Sequence, residues 1–412
     1  MMNRWLFVWR RTTQELWFRA GLYAVFGVVA ALAAVVAAPL VPSEMADRFG
    51  GESVEQVLTI LASSLLAVAT FSLGAMVTAY TAVSSAATPR VASLVTGDDA
   101  TQKSLATFVG AFLYAIVGVT AINAHYYAAA GRAVLFLTSL AVVGLVAFRL
   151  LAWINRLSSL ARLGHMIELV EERGTRALLE AAARPHLGGR AGTLGPQAMA
   201  ILSPKTGYVQ NVDPDHLQRA AETAGADVEV VAGPGTFVRR GEVLCRLDLA
   251  EANDDLQGRF CAAFTLGRSR SFDQDPRFAL TVLGEIAGKA LSPGVNDPGT
   301  AVEIATTGVR LLDAWCQARE AVPAEAEVTH DRLRARPLLE VDMLDDVFGP
   351  LIRYGAGDLL VATQLQLALN SLGSEQAPLG RAAAQLGKES LKRSMAALGS
   401  SHDRARLKAI IP

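Results

Sequence analysis

The sequence predicts an α-helical membrane domain of four transmembrane helices, followed by a cytoplasmic α+β domain that contains a small β-barrel-like module and helices. Three observations carry that expectation. Charged residues are scarce between 21 and 155 and ordinary in number from 156 to 412. Four apolar stretches in the first part are long enough to cross a bilayer. Near residue 199 the hydrophobic period changes from helical to alternating.

A chain of 412 residues has room for about two or three domains. Its 38 Lys and Arg nearly balance 39 Asp and Glu, and the isoelectric point is near 6.6. That balance gives no electrostatic reason for nucleic acid to be a partner. The three cysteines, Cys245, Cys261 and Cys316, are far apart and form no CxxC pair. They suit a reducing compartment and read as small buried hydrophobes, not as a disulfide framework or a zinc site.

The spans are expected at about 21–41, 56–83, 105–129 and 133–155. The first, Gly21–Val41, is uncharged and too long for a signal-peptide core, so it reads as an uncleaved anchor. Before it, residues 1–20 mix Trp5, Trp9 and Trp17 with Arg4, Arg10, Arg11 and Arg19, the composition of an interfacial helix. Gln56 to Pro89 has no charge at all. As one helix it reaches about 50 Å and exceeds the hydrocarbon thickness. Asn123 and His125 interrupt the third span near its end, and Arg149 in the fourth is expected to snorkel to the interface.

Lys and Arg set the orientation. Arg90, Lys103, Arg149, Arg156, Arg162 and the N-terminal arginines fall on one side, Arg48 and Arg132 on the other. Both termini are therefore expected in the cytoplasm of a bacterial inner membrane, with the lipid bilayer as the first partner. Along the second span Ser63, Ala67, Thr70, Gly74, Thr78, Thr81 and Ser85 recur every three or four residues and form one stripe. Such a stripe serves close helix packing, or lines a path through a homo-oligomer. Ser63, Thr70, Gly74, Thr78, Thr81 and Ser85 are the pore-lining candidates.

Residues 156–190 read as a helix continuing from the last span and a Gly/Pro-rich linker, 191–250 as the small β module, and 251–412 as mainly helical. The pieces SPKTGYV and GTFVRRGEVL resemble the half-motifs of biotinyl- and lipoyl-carrier domains. The carriers' modified lysine is missing, so no cofactor is expected. Pro276–Leu291 has the apolar spacing of an amphipathic helix, and Ser292-Pro293-Gly294 stops it. Asp297 before Pro298 is an N-cap for a helix that runs to about Ala318. Arg270, Gln274, Asp275, Ser292, Asn296 and Asp297 are the cytoplasmic motif candidates. Either this is a tight structural reversal, or Arg270, Gln274, Asp275, Asn296 and Asp297 converge on a small polar pocket. The run Glu340, Asp342, Asp345 and Asp346 reads as a solvated face.

Several stretches carry a resemblance: VSSAATPR (Val83–Arg90, with the loop pair Pro89 and Arg90), FVGAFLYA (Phe108–Ala115), TGYVQ (Thr206–Gln210), the pair Gln274-Asp275, and above all ALSPGVNDPGTA (Ala290–Ala301). Over nearly its whole length the chain resembles the bacterial predicted-membrane-protein family catalogued as domain of unknown function 2254. It departs from the family pattern at Ser85–Thr88, where a Gln followed by an aromatic residue and Ser is common, and at Ser271, where Thr is usual. The resemblance implies membrane spans plus a cytoplasmic domain and supplies no activity.

There is no GxSxG, HExxH, Walker loop or dinucleotide fingerprint, and the six histidines are scattered, so neither an enzyme nor a metal site is expected. The leading expectation is a homo-oligomeric channel for ions or small solutes, with the second span on the axis. The alternative is a membrane-anchored sensor or scaffold that binds a small ligand or protein through the SPGVND turn and the Gln-Asp pair. A secondary transporter is the weaker third reading, because the spans lack midplane ionisable groups.

Overall fold

The structure is a computed structural model; it describes residues 13, 16–40, 42, 44, 53–96, 99–160, 162–195, 197–249, 254–322, 328–374 and 378–410. Most of the expected interfacial helix, and Arg48, lie outside these residues. The chain forms two compact units that divide between Met166 and Ile167.

The first unit is built from α1 (Leu16–Ala37), α2 (Ser53–Ala86), α3 (Pro89–Thr96), α4 (Asp99–Asn123) and α5 (Ala129–Leu160). Four of these are long and apolar enough to cross a membrane, over Trp17–Ala37, Ser53–Ala86, Thr101–Asn123 and Ala129–Leu157. The 34 residues of α2 form one unbroken helix. It ends where the sequence allows: Thr88 precedes a proline, which disfavours helical backbone, and Pro89 then opens α3. The third span stops earlier than expected, at Asn123, and His125 turns the chain with φ 55°.

Small residues decide the closest crossing in this unit. Gly27 on α1 faces the backbone of Gly110 on α4, and a Cβ at Gly110 would lie 2.6 Å from the Tyr23 carbonyl oxygen. The two backbones touch, as glycine permits. Buried tyrosines add interhelical bonds. Tyr114 donates to the Leu135 carbonyl (3.1 Å) and Tyr127 to the Ala31 carbonyl (2.6 Å). Each satisfies a hydroxyl that is costly to leave unpaired in an apolar interior.

Most of α6 (Leu163–Ala183), which follows the non-helical Arg162, belongs to the second unit. Two open sheets follow. One has five strands in the order β1 (Arg190–Ala191), β8 (Leu333–Ala335), β4 (Val228–Val230), β6 (Val243–Leu247), β2 (Met199–Leu202). The other has three, in the order β5 (Phe237–Val238), β3 (Gly207–Val212), β7 (Phe264–Gly267). This corrects the barrel-like expectation. Strands of two to six residues in two separate sheets do not close. Both sheets also borrow strands from beyond residue 250: β7 pairs with β3, and β8 lies parallel to both β1 and β4. Part of the stretch read as a linker is therefore a sheet edge, held also by His186 Nδ1 at 2.8 Å from the Ala335 carbonyl. Between β3 and β4, α7 (Pro214–Ala224) has the punctuation its sequence dictates: Asp213 caps it, accepting from the His216 N–H at 2.9 Å, and Gly225 ends it in the left-handed region. Short α8 (Asp254–Ala262) precedes β7.

The rest is helical: α9 (Phe278–Ala290), α10 (Pro298–Glu320), α11 (Glu340–Tyr354), α12 (Leu359–Gly373), α13 (Pro378–Ala397) and α14 (Ser401–Lys408). The hairpin α9–α10 packs on the hairpin α11–α12, α9 against α11 and α10 against α12. Leu283, Ile286, Leu311, Phe348 and Leu365 fill the space between them and are essentially buried. Each such side chain contributes about 1.5–3 kcal/mol through removal from water. Both hairpin turns end in an aspartate cap, Asp297 for α10 and Asp358 for α12.

Candidate functional site

On α2 the buried residues Val54, Leu58, Leu61, Leu65, Ala79 and Val83 mark the face that packs within the unit. Ser63, Thr70, Gly74, Thr78, Thr81 and Ser85 are all exposed, and nothing lies within 4 Å of a Cβ placed at Gly74. The stripe is thus not consumed by packing inside its own chain. Its hydroxyls turn inward for their donor bonds: Thr70 donates to the Leu66 carbonyl at 2.8 Å, Thr78 to Gly74 at 3.1 Å, Thr81 to Val77 at 2.7 Å, and Ser63 to Thr59 at 3.0 Å. What these side chains turn outward is oxygen lone pairs and methyl groups, with no formal charge. Pro89 and Arg90 open α3, and both are exposed.

The motif residues of the second unit separate into two places. Arg270, Gln274 and Asp275 gather at the start of α9. Asp275 is 2% exposed and accepts two bonds from the Arg270 guanidinium, 2.7 Å from Nε and 3.1 Å from Nη2, and one from the Arg277 N–H. Burial pushes the Asp275 carboxyl upward, against the opposing pull of Arg270. Gly235 presses on that carboxylate at φ 87°, where any side chain would collide with it. Gln274 spans the backbone of Val212, its Oε1 accepting from the N–H at 2.7 Å and its Nε2 donating to the carbonyl at 3.0 Å. It thereby ties the helical part to the edge of β3. Gln210 adds a bond from its Nε2 to the Ser269 carbonyl. Sequence reasoning passed over Gln210, although it ends the TGYVQ stretch.

Ser292, Asn296 and Asp297 lie at the other end of α9, about 20 Å along its axis. The five residues expected to share one pocket therefore do not meet. The Ser292 hydroxyl donates to the Lys289 carbonyl, and Asn296 holds φ 49° so that the Asp297 N–H reaches the Ala290 carbonyl at 2.8 Å. Asp297 accepts from the Thr300 N–H at 3.1 Å and hydroxyl at 2.6 Å, which lowers its pKa below the usual carboxylate value. The tip, Pro293–Asn296, is exposed. The acidic run is not merely solvated: Arg277 donates to Asp346 at 2.6 Å and to Asp342 at 2.6 Å, and its pKa is raised chiefly by Asp346. Among the described residues no group of three or more His, Cys, Asp or Glu is placed to hold a metal ion.

Comparison with known proteins gives a family and no activity. The family described as Predicted membrane protein (DUF2254) matches residues 13–371. The chain is 34% identical over 112 residues to Uncharacterized protein Mb1321c of Mycobacterium bovis and to Uncharacterized protein Rv1290c of Mycobacterium tuberculosis. In each case the match covers 26% of this chain and 22% of the relative. No solved structure matches.

Proposed function

The chain belongs to the Predicted membrane protein (DUF2254) family, and from that premise we propose that it works in the bilayer as a homo-oligomer that passes ions or small solutes along α2. One observation carries the reading: Ser63, Thr70, Gly74, Thr78, Thr81 and Ser85 share a face of α2 that is exposed in the single chain. A hydroxyl-bearing helix face directed at lipid gains nothing there, whereas the same face turned towards copies of itself supplies oxygen atoms to a solvated path. The path would have no fixed charge between Glu55 and Arg90. The role is non-enzymatic in this reading. The distribution of Lys and Arg supports an orientation in the inner membrane with both termini in the cytoplasm.

The second reading, a membrane-anchored sensor or scaffold, rests on the exposed Pro293–Asn296 tip, which a partner can reach. It has less support, because Arg270, Gln274, Asp275, Ser292 and Asp297 are all engaged in bonds within the fold. Light scattering of the detergent-solubilised chain tests the first reading's requirement of several copies. A monodisperse monomer that also conducts nothing in liposomes would sink it.

A further inference from the structure

The helical part of the second unit has two unlike ends. α9 and α11 run the same way: a Cβ at Gly284 would meet Asp346 and Pro350, and one at Gly288 would meet Pro350 and Tyr354. Their C-terminal turns therefore lie together, and a Cβ at Gly355 would touch Leu291 at 3.3 Å. α13 runs back along α12, since Gly373 faces Ala384 and Gly387 faces Gln366 and Leu369. That brings Leu398 and Leu407 against Leu359 and Ala362 at the start of α12. Three segments thus share one end: the turn after α9, the turn after α11, and the stretch from the last turns of α13 through α14.

What this end exposes is apolar and basic together. Val295 is 53%, Tyr354 57% and Leu360 56% exposed, so each turn offers large apolar side chains to the outside. Arg353, Lys392, Arg393, Arg406 and Lys408 on the same segments are exposed as well. The carboxylates within 289–298, 353–361 and 392–408 are Asp297, Asp358 and Asp403. Asp297 and Asp358 are spent on helix caps, and Asp403 stands in the first turn of α14, where the helix dipole offsets it. The opposite end is acidic, with Glu340, Asp342, Asp345 and Asp346 in the first two turns of α11. In a chain whose charges nearly balance, the basic end is a matter of sorting.

The chain also enters the unit at this end. α6 and α10 run the same way, because Glu171 accepts from Arg310 at 2.6 Å and the Ala182 carbonyl from Arg319 at 3.5 Å. The first residues of α6 therefore point to the end where α10 starts, beside Val295 in sequence. Ile167 comes ten residues after Leu157, the last residue of the fourth candidate span. Such a tether reaches at most about 35 Å, so a bilayer surface is close at hand.

We propose that this end of the helical bundle is a membrane-docking surface, with Val295, Tyr354 and Leu360 entering the headgroup layer of an anionic bilayer. Arg353, Lys392, Arg393, Arg406 and Lys408 then face its phosphates. Apolar side chains gain by burial at the acyl boundary, tyrosine favours the interface, and Lys and Arg are drawn by the negative surface potential. A nucleic acid would engage the cations and leave Val295 and Leu360 in water, so lipid is the occupant this surface fits. The inference needs only a chain anchored in a bilayer, and not the path along α2.

The test uses the full chain in nanodiscs of phosphatidylcholine, with or without phosphatidylglycerol. Val295→Cys and Leu360→Cys are each labelled with a nitrobenzoxadiazole dye, beside Leu339→Cys, which is exposed at the start of α11, and the labelled parent as blank. Lipid with a nitroxide near the top of its acyl chains quenches a dye that reaches it. The proposal expects at least about twofold quenching at 295 and 360 in the phosphatidylglycerol discs, and none at 339. Lys392→Gln, Arg393→Gln, Arg406→Gln and Lys408→Gln together, or added salt, should remove most of it. No quenching at 295 and 360, equal quenching at all three positions, or quenching indifferent to lipid charge and salt overturns the proposal. A dye response to an added oligonucleotide in place of lipid overturns it too and identifies a nucleic-acid surface. Should the fourfold variant fail to fold, the salt titration decides. Flux through liposomes is a separate readout, so this surface and the path along α2 fail independently.

Discussion

The turn between α9 and α10 offers a prediction that separates architecture from ligand binding. Asn296 occupies the left-handed region at φ 49° with its side chain exposed, while its backbone sets Asp297 on the Ala290 carbonyl. If the backbone conformation is what matters, Asn296→Gly leaves stability within a few tenths of a kcal/mol, because the ease of φ > 0 is offset by extra unfolded-state freedom. Asn296→Ala costs about 1 kcal/mol, since alanine adopts that region reluctantly. Asp297→Ala removes a cap from a 23-residue helix. Its cost is about 1 kcal/mol for the cap, with about 0.5 kcal/mol more for the lost charge at the helix N-terminus. The pH dependence has a definite sign. The folded pKa of Asp297 lies below its unfolded value. Its contribution is therefore full above the ordinary carboxylate range and is lost as pH falls through the lowered folded value. The gap between parent and Asp297→Ala should shrink correspondingly in acid. Urea unfolding of the full chain in micelles, followed by circular dichroism, measures all three variants. The architectural reasoning is refuted if Asn296→Gly destabilises as much as Asn296→Ala, or if Asp297→Ala leaves the midpoint unchanged at pH 7.

Other expectations follow from the same geometry. Gly110→Leu drives a side chain into the Tyr23 backbone and should cost at least about 3 kcal/mol, whereas Gly144→Leu on the open face of α5 should cost nearly nothing; thermal melts in detergent compare them. Arg277→Leu leaves Asp342 and Asp346 unopposed and should cost about 2 kcal/mol, part of which Asp342→Asn restores in the double variant. If the second change restores nothing, the ion-pair account of α11 is wrong. Gly235→Ala should destabilise by about 2 kcal/mol or more, through the unfavourable φ and the collision with Asp275.

Much of the first unit was legible because hydrophobicity over some twenty residues is a strong signal, and four apolar helices stand where the uncharged stretches are. The punctuation of α10 was legible for a local reason: Asp-Pro at a helix start fixes cap and first turn within four residues. The sheets were not. β8 is three residues long, Leu-Arg-Ala, too short to show alternation, and its partners β1 and β4 lie more than a hundred residues earlier. Nothing local announces such a pairing, so the β region was read as self-contained and barrel-like. At the motif, the grouping of Arg270 with Asp275 follows from nearness in sequence. The exclusion of Asn296 and Asp297 follows from the straight helix between, which holds its two ends apart.

The measurement that most directly tests the central claim is ion flux through the purified chain in liposomes, with Thr70→Leu and Thr78→Leu beside the parent. Both side chains are exposed on α2, and each spends its proton on its own helix, so leucine should leave folding intact and block the path. The account predicts flux in the parent and a fall of about tenfold or more in at least one variant. Equal flux in all three proteins, or none in any at any salt concentration, contradicts a path along this face of α2.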